Sequence, residues 1–206
     1  QVIEAVRRGM ERGKEDFHVH YGIIVCAMRN HSEEQNLAML KCAREYLGEG
    51  VCALDLAGDE SAFPTAQYRN IFQEAKRLGM PYTIHSGETG SLENVREAWE
   101  LGAARIGHGI ALKKDPELMK AYARAGIGVE MCPTSNFQTK AVHTWQDYPL
   151  RQFLNAGIKA SINTDNRTVS GTTMTRELTQ IYEQYGQDEE LILTLLRNAA
   201  DTAFDS

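Results

Sequence analysis

Six short apolar runs punctuate the chain, and between them apolar residues recur every three or four positions. The runs YGIIVCAM (21–28), VCALDL (51–56), PYTIH (81–85), ARIG (104–107), IGVEMC (127–132) and IKASIN (158–163) have the length of strands. The segments between them predict amphipathic helices. Ser32 caps one that turns Leu37, Leu40, Ala43 and Leu47 inward and stops at Gly48. Thr65 opens another, with Tyr68, Ile71, Phe72, Ala75 and Leu78 on one face and Gly79 at its end. Ser91 caps a third carrying Leu92, Val95, Ala98 and Trp99. Asp115-Pro116 supplies an N-cap and a first-turn proline for a fourth, which Gly126 terminates. A short helix near 149–156 ends at Gly157, and two more cover 173–185 and 188–203. Ahead of the first run, Val2, Ala5, Val6 and Met10 mark a helix that closes at Gly13.

Strands that read as apolar on both faces, each followed by a helix, predict a parallel sheet covered by helices. An open doubly wound sheet and a (β/α)8 TIM-type barrel both fit that description. Barrels run to about 250 residues and need eight strands; six are visible here, behind a helix that should itself follow a strand. The expectation is therefore a single domain, 1–206, forming the C-terminal three-quarters of a barrel whose first strands precede Gln1 in a longer parent. No Gly-rich phosphate turn follows the first visible strand, which disfavours the open binding-protein alternative.

Composition narrows the field further. Apolar residues make up 42% and charged residues 24% of the 206, with a net charge of −6 and a pI of about 5.6. Lys and Arg form no block, so no nucleic-acid or membrane-surface footprint is expected. No apolar run approaches the ~20 residues of a membrane span. Cys26, Cys42, Cys52 and Cys132 lack metal-site spacing, and three lie in apolar surroundings. They read as reduced, buried thiols of a cytoplasmic protein.

The chemistry gathers after the strands. DLAGDE (55–60), IHSGE (84–88), IGHG (106–109), CPTSN (132–136) and NTDN (163–166) each put polar or ionisable residues at one strand end. In a parallel barrel those ends share the face that holds the active site. Singly, each has a plain structural reading: a hydrogen-bonded strand-end histidine, a turn aspartate, a rim carboxylate. Together they suit a zinc hydrolase, with His85 and Asp165 as ligands, Glu88 shuttling a proton and His108 orienting or deprotonating water. His31 and His143 lie among polar loop residues and read as surface.

In this order, DLAGDE, IHSGE, RIGHG, CPTSN and SINTDN resemble the adenosine deaminase family of zinc-dependent purine deaminases, from about residue 17 onward. The resemblance implies a (β/α)8 barrel with one zinc at its mouth and hydrolytic deamination of adenosine or deoxyadenosine, in which zinc-bound hydroxide attacks C6. It assigns His85 and Asp165 to the metal, Glu88 to protonation of purine N1 and His108 to the attacking hydroxide. Gly58 would offer its backbone to N3, and Asn166 would contact N7. Several family members have Asp at that last position; an amide donates to N7 at any pH, whereas a carboxyl must first be protonated. Asp55, Ser135 and Asn136 resemble supporting residues behind the site.

The family's own H-x-H lies at the C-terminal end of its first strand and supplies two further zinc ligands. His18 and His20 precede the apolar run, and the eight residues from His20 to Met28 span roughly 26 Å of strand. They belong to the closed face, so two ligands are expected from a segment before Gln1. As it stands the chain should hold zinc weakly. Its open barrel should be covered by a retained N-terminal fragment or by self-association. Another purine as substrate, or a non-catalytic self-associating module, remain the alternatives.

Overall fold

The computed structural model describes residues 1–204. Six strands follow one another: β1 (Ile23–Met28), β2 (Val51–Ala57), β3 (Thr83–Ser86), β4 (Arg105–His108), β5 (Gly128–Met131) and β6 (Lys159–Ile162). Every neighbouring ladder is parallel: β1 with β2, and β3 through β6 in sequence order. A bridge between Leu54 and Tyr82 and a 2.8 Å bond from Leu54 N to Pro81 O join the two groups. The result is an arc of about six βα units, an incomplete parallel barrel. Among the described residues no ladder joins β6 back to β1.

The helices are α1 (Val2–Phe17), α2 (Glu33–Arg44), α3 (Arg69–Arg77), α4 (Leu92–Leu101), α5 (Pro116–Ala125), α6 (Pro133–Gln138), α7 (Leu150–Asn155), α8 (Arg167–Ser170), α9 (Met174–Gln184) and α10 (Glu189–Asp201). Local chemistry explains their ends. Ser32 and Gln35 form a reciprocal capping box on α2, and Asp115 accepts from Glu117 N and Leu118 N at the start of α5. Gly102 and Gly126 adopt the left-handed conformation that closes α4 and α5. No helix among the described residues is long and apolar enough to cross a membrane.

Several expectations need correction. α1 runs through Gly13 to a left-handed cap at His18, whose N–H bonds Lys14 O. α6 and α8 are short, and neither carries enough turns to show a helical period. β1 and β2 carry apolar side chains on both faces, Asp55 apart, whereas β3 to β6 are apolar on one face only. Ile84, Ile106, Val129 and Ala160 are fully buried against the helices. The opposite face carries Thr83, His85, Arg105 and Glu130, with Glu130 accepting from Thr83 and Arg105 at 2.8 and 2.7 Å. Cys52 and Cys132 are buried, but Cys26 and Cys42 are exposed. Cys26 belongs to the inner face of the arc, beside Asp55, and Cys42 to the outer side of α2.

Parallel ladders align the strand C-termini, so the loops after β2 to β6 converge on one rim. His18 and His20 precede β1 at the other rim, and both are exposed.

Candidate active site

His85, one residue before the end of β3, lies opposite Gly107 in the β3–β4 register. A Cβ at 107 would meet His85 Cα and Cγ at 3.2 Å, so the absent side chain is what makes room for the imidazole. Next along β4, His108 adopts a left-handed φ of 62° and is buried. For a non-glycine residue that backbone is uncommon. It swings the ring to 5.1 Å from that of His85, edge to face. Asp165, after β6, has a φ of 53°, also in the left-handed region.

Partners orient each group. Asp55 Oδ2 lies 2.7 Å from His85 Nδ1. Protonated, the ring forms an ion pair with that carboxylate. Asn136 Nδ2 stands 2.9 Å from His108 Nδ1. Ser135 Oγ donates to Asp165 Oδ2 at 2.7 Å. Glu88 Oε2 comes within 3.6 Å of His108 Nε2, while its Oε1 accepts from Thr139 Oγ1 at 3.0 Å. Asp55, Ser135 and Asn136 thus each touch a different candidate residue.

The electrostatics separate two histidines that share one pocket. Burial opposes protonation of His85, but Asp55 outweighs it and lifts the imidazole to about 9. Burial, then the charge of His85, push His108 down to about 4. Burial raises the Glu88 carboxyl, against the Thr139 hydrogen bond, and Asp165 adds to the rise. A carboxyl biased toward its acid form therefore faces an imidazole biased toward its neutral form.

His85, His108 and Glu88 meet directly, and the charge of Asp165 is felt at all three. Gly58 and Asn166 stand on the same rim at the ends of β2 and β6. Gly58 needs its φ of 114°, and a Cβ there would press on Arg29 Cβ at 3.3 Å. Asn166 Oδ1 caps α8 by accepting from Val169 N at 3.0 Å, which leaves its amide NH2 free in chemistry to donate. The donor set of imidazole and carboxylate suits zinc, and with Nδ1 turned to Asp55 the other ring nitrogen of His85, Nε2, is the one that would meet a metal. Among the described residues, however, no group of three or more His, Cys, Asp or Glu is placed to hold a metal.

Three residues escape a reading of the sequence. Arg29, buried at the end of β1, donates to His85 O at 2.7 Å and to Phe63 O at 2.6 Å. A charge closing an apolar run was the only signal for it. Glu60 and Thr139 reach the Glu88 loop from 28 and 51 positions away, beyond any local pattern.

Fold and site together define an incomplete α/β barrel with an ionisable cluster at its mouth, an architecture shared with solved deaminases and amidohydrolases. The chain belongs to the adenosine deaminase family, whose model matches residues 1–206. It is 41% identical over 204 residues to the adenosine deaminase of Enterococcus faecalis, covering 99% of this chain and 60% of that protein. It is 40% identical over 208 residues to that of Clostridium botulinum, covering 100% and 62%. The chain thus spans about three-fifths of the length of the curated relatives it matches. The adenine deaminase of Arthrobacter aurescens superposes with a TM-score of 0.85 at 26% identity, over 94% of this chain and 59% of that one. A zinc-bound amidohydrolase from Burkholderia ambifaria superposes at 0.88 with 23% identity, over 96% and 56%, a likeness of fold.

Proposed function

We propose that the polypeptide carrying this chain deaminates adenosine, and deoxyadenosine, to the corresponding inosine and ammonia. The observation that carries the reading is the Glu88–His108–His85 cluster at the strand C-termini of an adenosine deaminase family chain. A zinc ion held in part by His85 and Asp165 would activate water and polarise the reacting carbon. The remaining work falls to the protein. Glu88, kept toward its acid form by burial, delivers a proton to ring N1 and makes C6 more electrophilic. His108, kept neutral, accepts a proton from the incoming water and can return it to the departing amine. The NH2 group of Asn166 donates to N7, and the backbone of Gly58 meets N3. Ser135 holds the Asp165 carboxylate in one orientation.

Two metal ligands, and a covering for the open arc, come on this reading from a polypeptide segment outside these residues. The adenine deaminase likeness favours a purine base as the second candidate substrate. The test is turnover by the longest natural polypeptide that contains this chain, supplied with zinc and offered adenosine, deoxyadenosine and adenine separately. Adenosine should be preferred, and Glu88→Gln should lose about 10²–10⁴-fold in kcat. Preference for adenine would move the assignment to the base, and inactivity toward all three would overturn it.

A further inference from the structure

We propose that Glu60 is a positioning residue that aims the Glu88 carboxyl, a role that rests on reading Glu88 as the proton donor. Glu60 lies buried just beyond β2, and its two oxygens serve two peptide groups. Oε2 accepts from Gly87 N at 2.8 Å and Oε1 from Thr89 N at 2.6 Å. Those amides flank Glu88. One carboxylate therefore holds the Ser86–Gly87 and Glu88–Thr89 peptides on either side of the proposed donor, and so restrains the short stretch of backbone from which its side chain leaves.

The clamp is itself held. Asn94, in the first turn of α4, donates to Glu60 Oε2 at 3.1 Å and to Glu60 O at 3.2 Å, while its Oδ1 accepts from Thr65 N at 2.9 Å. Behind the loop, Gly87 turns with a φ of 82° where a Cβ would lie 2.6 Å from Val95 Cγ2. The backbone is seated on α4 and has no room to slide that way. Arg29 sets a compensating charge near Glu60 and also donates to His85 O. Burying a carboxylate is costly in desolvation unless its oxygens are satisfied. Here its amide partners are the two groups that bracket Glu88. The side-chain tip is then set separately, by Thr139 and His108.

Glu60→Gln tests the role, because glutamine keeps the length but turns an NH2 group toward one of two N–H donors. In the longest natural polypeptide containing this chain, with zinc and adenosine, kcat should fall about 10²-fold while KM stays within about twofold. A kcat within about threefold of the parent, or a loss confined to KM, would overturn the proposal. The crystal structure of the variant gives a readout independent of turnover. Glu88 Oε2 should move away from its 3.6 Å approach to His108 Nε2; an unmoved carboxyl overturns the clamp. If the parent does not turn over adenosine at all, the functional reading fails, and the structural comparison still judges the clamp. Should Glu60→Gln not fold, Asn94→Ala, which removes the lateral support, should lower kcat in the same sense without changing KM. An unaltered kcat there would count against the proposal.

Discussion

His108 and Asp165 show how much of this site is written in backbone angles. Both are non-glycine residues in the left-handed region, a conformation that persists only where surrounding contacts over-determine it. Here Asn136 and Ser135 supply those contacts. The shifted imidazoles give a pH dependence for the metal-free chain. His85 is raised to about 9, above its ordinary 6.5, so its pairing with Asp55 contributes fully below 6.5 and is lost as pH rises through 9. His108 is lowered to about 4, so its contribution is present above 6.5 and is lost as pH falls toward 4. Urea midpoints at fixed ionic strength should therefore decline on both sides of about pH 6.5. His85→Gln should remove the alkaline decline, and an unchanged alkaline limb in that variant would contradict the assignment. Cys26 offers a second check. Burial first, then Asp55, push its thiol up to about 12. At ordinary pH it is therefore held as the thiol, the unreactive form. Iodoacetamide labelling followed by peptide mass spectrometry should find Cys26 far slower than glutathione despite its exposure, and Asp55→Asn should speed it.

At the level of elements, caps and glycines were the legible part. Ser32, Ser91, Asp115 and Gly126 act where the pattern puts them. Asp115→Ala removes the acceptor of two first-turn amides of α5 and should cost about 1 kcal/mol, read as a lower urea midpoint with unchanged slope. Because α5 lies on the outside of the arc, turnover of the parent should stay unaltered. The elements that escaped the pattern are those closest to the chemistry. α6 and α8 are six and four residues long; α6 begins within its motif at Pro133, and α8 begins at Arg167, directly after the motif residue Asn166 that caps it. The cap of α8 doubles as a candidate site residue, and α6 carries Ser135 and Asn136, so their sequence reflects the site more than the helix. Gly13 misled for a related reason: it sits inside an exposed helix with open space around it, and glycine there weakens α1 without ending it.

At the scale of the molecule, six parallel strands leave β1 and β6 each with one partner among the described residues. A free strand edge is a row of unsatisfied N–H and C=O groups, and here it borders an inner face lined by Thr83, His85, Arg105 and Glu130. The isolated 206-residue chain should therefore associate as its concentration rises. Sedimentation velocity that shows only monomer at about 100 µM, where weak interfaces populate, would argue that the edges are protected. Zinc affinity should differ in step. On the proposed assignment of His85 and Asp165 as two of the donors, this chain alone should bind zinc far more weakly than the longest natural polypeptide that contains it, measured by competition with a chelator. His85→Ala should weaken binding in both.

The amino-acid sequence by itself determined the alternation of strands and helices, the common rim on which the ionisable motifs lie and the membership in a family. Hydrophobic period, capping residues and the order of short motifs are local properties, readable without a partner in space. Only the tertiary structure decided that His85 fills the room left by Gly107, that burial of His108 and then the charge of His85 bias His108 toward its neutral form, and that Glu60 grips the loop of Glu88. Those are contacts between strands and loops far apart along the chain, created when parallel ladders bring the strand ends together, and no periodicity encodes them.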